Sequence, residues 1–598
     1  MANTVDIRNL APGYDANFNE VQWQQVPEAQ NPYFVINRMG NTDTKNRFIG
    51  QASVQYAILD DLSLKVSGMR DIDRFESMDY MPIGTAKRPR GLFNSGTSFV
   101  TKTAAQALLN YNKSFFENFQ FTAMAGANLE RNKAESTANN GSEFIVPDFI
   151  SFSNLSLQSA GVGLSRFGQN SVFGSADIGY RNLLYFTFTG RQDWFSTLNP
   201  GNNSIFYPSF GTSFILSDAV NLPSIISFAK IRASWAQVGG ATVNPYQINQ
   251  LYTFEQGGHI GRPVQNTSAA LSNPNLRPLT STTYEGGIDM QFLDNRLGID
   301  FTYYNRKTTD DILSTSIAAS SGYTSALLNV GELSNRGVEL LLTGTPVKND
   351  YFAWDVSYNA AYNKSEILKL APGLSTVGGA GVGRPYNTIR GRTYLTNASG
   401  IRVYNKLSGY EVQGPEIEYG QGVPPYTMGL TNNFRYKSFS LNVLLDAKFG
   451  NIVQSGLSRY IYRFGLSKNT LPGRDKGLTV TGVDQAGQPF TKTWPVDQLD
   501  TYYNNQASLS PLTTSVFDGD FVKVRSLILN YRIPVSKLQS LKIQSADVSF
   551  VARNPFILHK HITDFDPESA YTIGNTQGQS SNTIPRTRDI GVNLIVRF

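Results

Sequence analysis

The chain has 598 residues, 40% of them hydrophobic and 16% charged, with no cysteine, so it can bury a large core while disulfide frameworks, thiolate catalysis and cysteine-ligated zinc are excluded. Its net charge of +6 comes without a block of like charges, which leaves nucleic-acid binding unsupported and favours a mixed solvated surface. No stretch nears the roughly 18–20 consecutive apolar residues of a membrane helix, and 52 glycines, 30 tyrosines and 37 phenylalanines tilt the composition toward β-structure.

Met1 to Leu10 (MANTVDIRNL) has neither a basic start nor an apolar stretch, so no signal peptide is expected. From Phe48 onward the chain alternates strictly. Phe48, Gly50, Ala52, Val54, Tyr56 and Ile58 alternate with Gln51, Ser53 and Gln55, and an Asp60-Asp61 turn leads into Leu62, Leu64 and Val66 set against Ser63, Lys65 and Ser67. This pattern predicts a hairpin with one apolar face. Phe119, Phe121, Ala123, Ala125, Ala127 and Leu129 repeat it, as do Ala176, Ile178 and Tyr180 and, after Arg181-Asn182, Leu184, Phe186 and Phe188. Tyr284, Ile288, Met290 and Phe292 oppose Glu285, Asp289 and Gln291, and Asp294-Asn295 turns the chain into Leu297, Ile299, Phe301 and Tyr303. Trp354, Val356, Tyr358, Ala360 and Tyr362 alternate with Asp355, Ser357, Asn359 and Asn363. Continued to the end, the pattern predicts roughly sixteen to eighteen strands of roughly nine to eleven residues, the length with which a tilted strand crosses a bilayer. The last of them places Ile590, Val592, Leu594, Val596 and Phe598 on one face.

Tight turns alternate with long polar connections, expected at Arg74 to Thr101, Asn132 to Gln169, Gly239 to Thr280 and Ser455 to Asp518. Alternation alone leaves sandwich, propeller and barrel open. Aromatics near strand ends (Tyr56, Tyr180, Trp194, Tyr303, Tyr304, Trp354), a second face of amides, hydroxyls and charges, and a terminal strand ending on an aromatic favour the barrel. The expected fold class is all-β, an antiparallel transmembrane β-barrel with long extracellular loops.

The motifs then resemble a family. Asn273-Pro274-Asn275-Leu276-Arg277-Pro278 followed by Thr282-Thr283-Tyr284-Glu285-Gly287, with Leu279 where the family usually has Glu, is similar to a stretch of TonB-dependent receptors. So are the hairpin Leu297 to Leu313 (LGIDFTYYNRKTTDDIL) and Asn329-Val330-Gly331 with Asn335-Arg336-Gly337-Val338-Glu339. Lys230-Ile231-Arg232-Ala233-Ser234, Phe521-Val522-Lys523-Val524-Arg525-Ser526 with Pro534, Asn554-Pro555-Phe556, Asp566-Pro567-Glu568 and Pro585-Arg586-Thr587-Arg588 resemble the SusC/RagA-like branch, in its order, from about Asn31 to Phe598.

The resemblance implies a barrel of roughly 22 strands, of which residues 1–598 would form the C-terminal part. A plug domain, a TonB-interacting segment and a small N-terminal domain would lie upstream and are not found in the sequence. It further implies import of oligosaccharides or peptides across the outer membrane of a Gram-negative bacterium, contact with outer-membrane lipids, a SusD-like surface lipoprotein as partner, TonB coupling only through the plug, no cofactor and no enzyme activity. A passive outer-membrane channel or structural barrel and a soluble secreted glycan-binding β-protein are the alternatives.

Individual residues add little chemistry. Only His259, His559 and His561 offer imidazoles; His559 and His561 share a strand face two residues apart, but no carboxylate pattern of metal-site type accompanies them, so the pair is expected as exposed loop residues and not as a metal site. Gly378, Gly379, Gly381 and Gly383 lack the strand-then-helix frame of a phosphate cradle and read as a loop. Asp564, Asp566 and Glu568 have calcium-type donors, with a structural acidic turn as the preferred reading. Tyr185, Tyr304 and Asn359 are expected to face the lumen, either against a sugar or peptide or as ordinary filling. No GxSxG, HExxH or phosphate-loop pattern occurs, so no catalytic residue is assigned.

Overall fold

The computed structural model describes residues 5–598 apart from 24–28, 117, 261, 330, 372, 377–379, 510–513, 539–541, 563–564, 571–576 and 581–585. Seventeen strands form one sheet. The first eight are β1 (Gly40–Leu59), β2 (Leu62–Met81), β3 (Leu92–Phe115), β4 (Phe119–Phe144), β5 (Leu155–Tyr180), β6 (Leu184–Phe195), β7 (Ser204–Ile215) and β8 (Ile226–Gly240). They are followed by β9 (Leu279–Phe292), β10 (Leu297–Thr309), β11 (Glu332–Lys348), β12 (Phe352–Lys369), β13 (Tyr426–Tyr436), β14 (Phe439–Phe449), β15 (Phe521–Ile533), β16 (Ser545–Lys560) and β17 (Asp589–Arg597). Each strand pairs antiparallel with the next, so the wall is one meander. Among the described residues no pairing joins β1 to β17.

The number of strands falls in the range that alternation predicts, but the lengths of several do not. β4 and β5 each run for 26 residues, about 85 Å at ~3.3 Å per residue, against a hydrocarbon core of about 30 Å. Two expected connections, Arg74 to Thr101 and Asn132 to Gln169, are therefore mostly strand, and the loops there shrink to residues 82–91 and 145–154. The reason lies in the residues: Asn132, Lys133, Ser136, Thr137, Asn139 and Asn140 are polar on both faces. A strand wet on both sides has no hydrophobic period to detect.

One rim carries tight turns. Arg181 and Asn182 both take positive φ (51° and 56°) in the turn between β5 and β6, matching the twist of the flanking strands. The opposite rim carries the long connections 241–278, 310–331, 370–425, 450–520 and 561–588. Two of the family-like motifs knot these loops together. The Asn329 side chain accepts from the Arg277 amide at 3.1 Å and donates to the Arg277 and Asp310 carbonyls at 2.9 and 2.6 Å. Two residues on, Gly331 has φ +66°, and a Cβ there would stand 1.8 Å from the Lys369 carbonyl oxygen, so only glycine fits.

Most dry clusters lie in this loop layer. Tyr404, Val480, Trp494, Leu499, Tyr502 and Tyr503 form one, and Leu198, Val243, Leu276 and Ile312 another. A smaller one, Tyr80, Phe144 and Leu155, sits where β2, β4 and β5 meet the same rim. The apolar face of the wall is uncovered: Val54 is 72% exposed, Ile288 43% and Val592 73%. A soluble sandwich would cover that face with a second sheet, whereas a barrel in lipid leaves it bare.

Candidate functional site: the lumenal face and its packed rim

Strand alternation fixes which side chains line the wet face. On β6 the set is Tyr185, Thr187, Thr189, Arg191 and Asp193; register puts Ser171, Ser175 and Asp177 of β5 and Tyr207 and Ser209 of β7 beside them. These groups bond across strands. Thr187 donates to Asp177 at 2.5 Å, and Thr189 and Ser209 are 2.5 Å apart. Asp193, 2% exposed, takes Arg191 at 2.8 Å, Gln169 at 3.0 Å and the Tyr207 hydroxyl, while Arg191 also reaches Ser171 at 2.7 Å. A buried carboxylate surrounded by donors in this way is satisfied and rigid.

The pattern continues around the wall. Arg232 of β8 forks onto Asp300 of β10 at 2.5 and 3.2 Å and reaches Thr302 at 2.6 Å. Arg232 and Thr302, with Tyr185, Thr187, Ser213, Ser234 and Glu285, line an open groove of about 220 Å³. The expected lumenal positions of Tyr185, Tyr304 and Asn359 agree with the pairing register. Tyr304 already donates to Asn363 at 3.0 Å, and Asn359 lies against Gly429; no structural feature assigns either of them to a ligand.

A denser charge cluster joins wall to rim. Lys523 of β15, 2% exposed, donates to Asp566 at 2.5 Å and Glu568 at 2.8 Å. Arg525 forks onto both oxygens of Glu568 at 2.7 and 2.8 Å and meets Asp446 of β14. Burial by itself would raise the Glu568 carboxyl, but the hydrogen bonds from Arg525 and Lys523 outweigh it and hold the group down to about 2. Asp566 and Glu568 thus form an acidic turn tied to the wall, while Asp564 lies outside the described residues.

Above this cluster the loops 370–425 and 450–520 pack as one layer. Tyr410 stacks on Trp494 with centroids 4.9 Å apart, and Trp494 meets Tyr502 at 5.3 Å. Tyr502 donates to buried Glu411 at 2.9 Å; burial, then the Glu411 charge, pushes its phenol up. Sequence reasoning missed this layer, because its residues come from loops with no period and meet only in three dimensions.

Gly381 and Gly383 sit in an irregular turn with no helix after it, as expected of a loop, and Gly378 and Gly379 fall outside the described residues. His259 ends a short loop strand paired with Arg262–Thr267. Two carboxylates lie beside one member of the histidine pair. Asp518 and Asp520, at the entrance to β15, come within 4.8 Å of His561, donor atom to donor atom.

The family profile "TonB dependent receptor-like, beta-barrel" matches residues 3–544. TonB-dependent receptor P3 of Formosa agariphila is 25% identical over 548 aligned positions, covering 83% of this chain and 52% of the relative. TonB-dependent receptor SusC of Bacteroides thetaiotaomicron is 24% identical over 629 aligned positions, covering 97% of this chain and 59% of the relative. In structure the chain is similar to the RagAB peptide transporter, with a TM-score of 0.77 at 20% identity over 98% of this chain and 66% of that one. The chain spans between half and three-fifths of those two curated relatives. The uncovered apolar face, the hydrogen-bonded polar face and the packed loop rim are thus those of a member of the TonB-dependent receptor β-barrel family, to which this chain belongs.

Proposed function

We propose that residues 1–598 are the C-terminal part of the barrel of a SusC/RagA-type importer, which takes up oligosaccharides or peptides across the outer membrane of a Gram-negative bacterium. In this reading a plug and a TonB-contacting segment belong to the same transporter outside this sequence, and a SusD-like surface lipoprotein docks on the loop rim. The observation that carries it is the division of the wall into a greasy outside and a wet, ion-paired inside, roofed on one rim by packed loops. A wide lumen with polar walls passes hydrated solutes, and a large barrel needs a plug to stay closed. The family membership and the length of the relatives support the same reading. The packed rim favours a gated importer over a permanently open channel.

Deleting the gene in its host and measuring growth on panels of oligosaccharides and of peptides as sole nutrient tests this. Loss of growth on one class, restored by the intact gene, is expected. Normal growth on every substrate, together with a chain that fractionates as a water-soluble protein, would refute it.

A further inference from the structure

Three segments distant in sequence meet at the loop-bearing rim: Gly450-Asn451 after β14, Asp518-Gly519-Asp520 before β15, and His559-Lys560-His561 at the end of β16. The β15–β16 pairing, Phe521 opposite Lys560 and Val522 opposite His559, sets the last two side by side. The His561 Nε2 is 3.7 Å from an Asp518 oxygen, and one donor atom each from Asp518, Asp520 and His561 lies within 4.8 Å of the others. The His559 ring meets His561 edge-on, centroids 4.9 Å apart.

The carboxylates are held in place by the backbone. Asp520 accepts the Gly450 amide at 2.6 Å, and Asp518 accepts the Asp520 amide at 3.0 Å. A second, independent feature marks the spot. The Asn451 side chain is 1% exposed, yet among the described residues neither its Oδ1 nor its Nδ2 has a hydrogen-bond partner. Its carboxamide is turned onto the Asp-Gly-Asp turn, so that a Cβ on Gly519 would stand 2.4 Å from Nδ2 and 2.9 Å from Oδ1. A buried amide unpaired at both ends is rare in native proteins and calls for an ion or an ordered water.

We propose that Asp518, Asp520 and His561 bind a divalent transition-metal ion of the zinc class, with the Asn451 carboxamide beside it and His559 as the adjacent imidazole. The donor set selects the class: calcium and magnesium take all-oxygen shells, soft ions want thiolates that this cysteine-free chain lacks, and imidazole with carboxylate suits zinc and its neighbours. Metal–donor bonds of about 2.0–2.2 Å put tetrahedral donors about 3.4 Å apart. The exposed side chains of Asp518 and His561 close that gap by rotation. The ion would pin both ends of the 450–520 loop to the start of the 561–588 loop, beside the Lys523–Glu568 cluster.

The chain holds three histidines and no cysteine, so background zinc binding is low. The test takes the purified chain in detergent, free of any polyhistidine tag and stripped with EDTA, and titrates it calorimetrically with Zn²⁺, Ca²⁺ and Mg²⁺ in parallel. One Zn²⁺ per chain is expected, weakened at least about tenfold by H561Q or D518N, unchanged by H259Q, and not displaced by excess Ca²⁺. Far-UV circular dichroism confirms that each variant keeps its strands. Absence of Zn²⁺ binding, binding indifferent to H561Q and D518N, or preference for Ca²⁺ would each overturn the proposal.

Discussion

Replacing Glu568 by glutamine isolates what the wall-to-rim charge cluster contributes. The carboxyl is held down to about 2 from an ordinary 4.5; at about 1.4 kcal/mol per unit, this is on the order of 3 kcal/mol of stabilisation at neutral pH. Because the folded value lies below the unfolded one, that stabilisation is complete above about pH 4.5 and disappears as the pH falls toward about 2. The group is 7% exposed, so little of it is screened by solvent. The energy is local, tying the 561–588 loop to Lys523 and Arg525 of β15, so the readout must be local too. Hydrogen exchange at the Ser569 amide, which donates to the Asp566 carbonyl at 2.9 Å, reports opening of this turn. Glu568→Gln should lower its protection factor at pH 7 roughly a hundredfold. The parent chain should approach the variant's protection as the pH drops from 4.5 to 2. Equal protection in both proteins at pH 7, or a difference that persists at pH 2, would show that the charge does not hold the loop.

Three further outcomes follow from the same geometry. Ile288→Arg, on the bare face between Ile231 and Phe301, should cost about 2–4 kcal/mol in refolding into lipid vesicles, whereas Ser357→Arg on the polar face should change it by less than about 1 kcal/mol; equal costs would mean that the faces are wrongly assigned. Asn329→Ala removes three hydrogen bonds that tie the Arg277 and Asp310 segments and should lower stability by about 2–3 kcal/mol in denaturant titration, with proteolysis rising first in the 310–331 loop. Tyr502→Phe takes one of the two donors to Glu411, leaving only Arg402 at 3.3 Å, on a carboxylate that is 5% exposed and has no partner on Oε2 among the described residues, and should cost about 1–3 kcal/mol, read as earlier thermal loss of near-ultraviolet circular dichroism.

The wall was legible because a membrane strand has two chemically opposite surroundings. Ile288 pairs with Ile231 and Phe301 while Asp289 pairs with Lys230 and Asp300, and that contrast repeats every two residues in the sequence itself. Where the contrast ends, so does legibility. The outer half of β4 is strand by hydrogen bonding but polar on both faces, and it reads as a loop. Lys523 and Arg525 could be placed on a strand from the sequence, yet their anionic partner Glu568 lies beyond β16, in a loop with no period.

The same limit explains the histidine pair. His559 and His561 show their spacing along one strand, but a metal site is defined by what the neighbouring strand delivers. The carboxylates arrive because β15 and β16 run antiparallel with Val522 opposite His559, which places the residues preceding β15 beside those that end β16. Asn451 enters from the end of β14, at the other end of the 450–520 loop. A loop of that length closes at little more entropic cost than a short one, since the penalty grows only with the logarithm of length. Long-loop barrels can therefore gather donors at a rim from segments that sequence spacing never brings together. At this rim the test for a site is an unsatisfied buried group, and Asn451 supplies one.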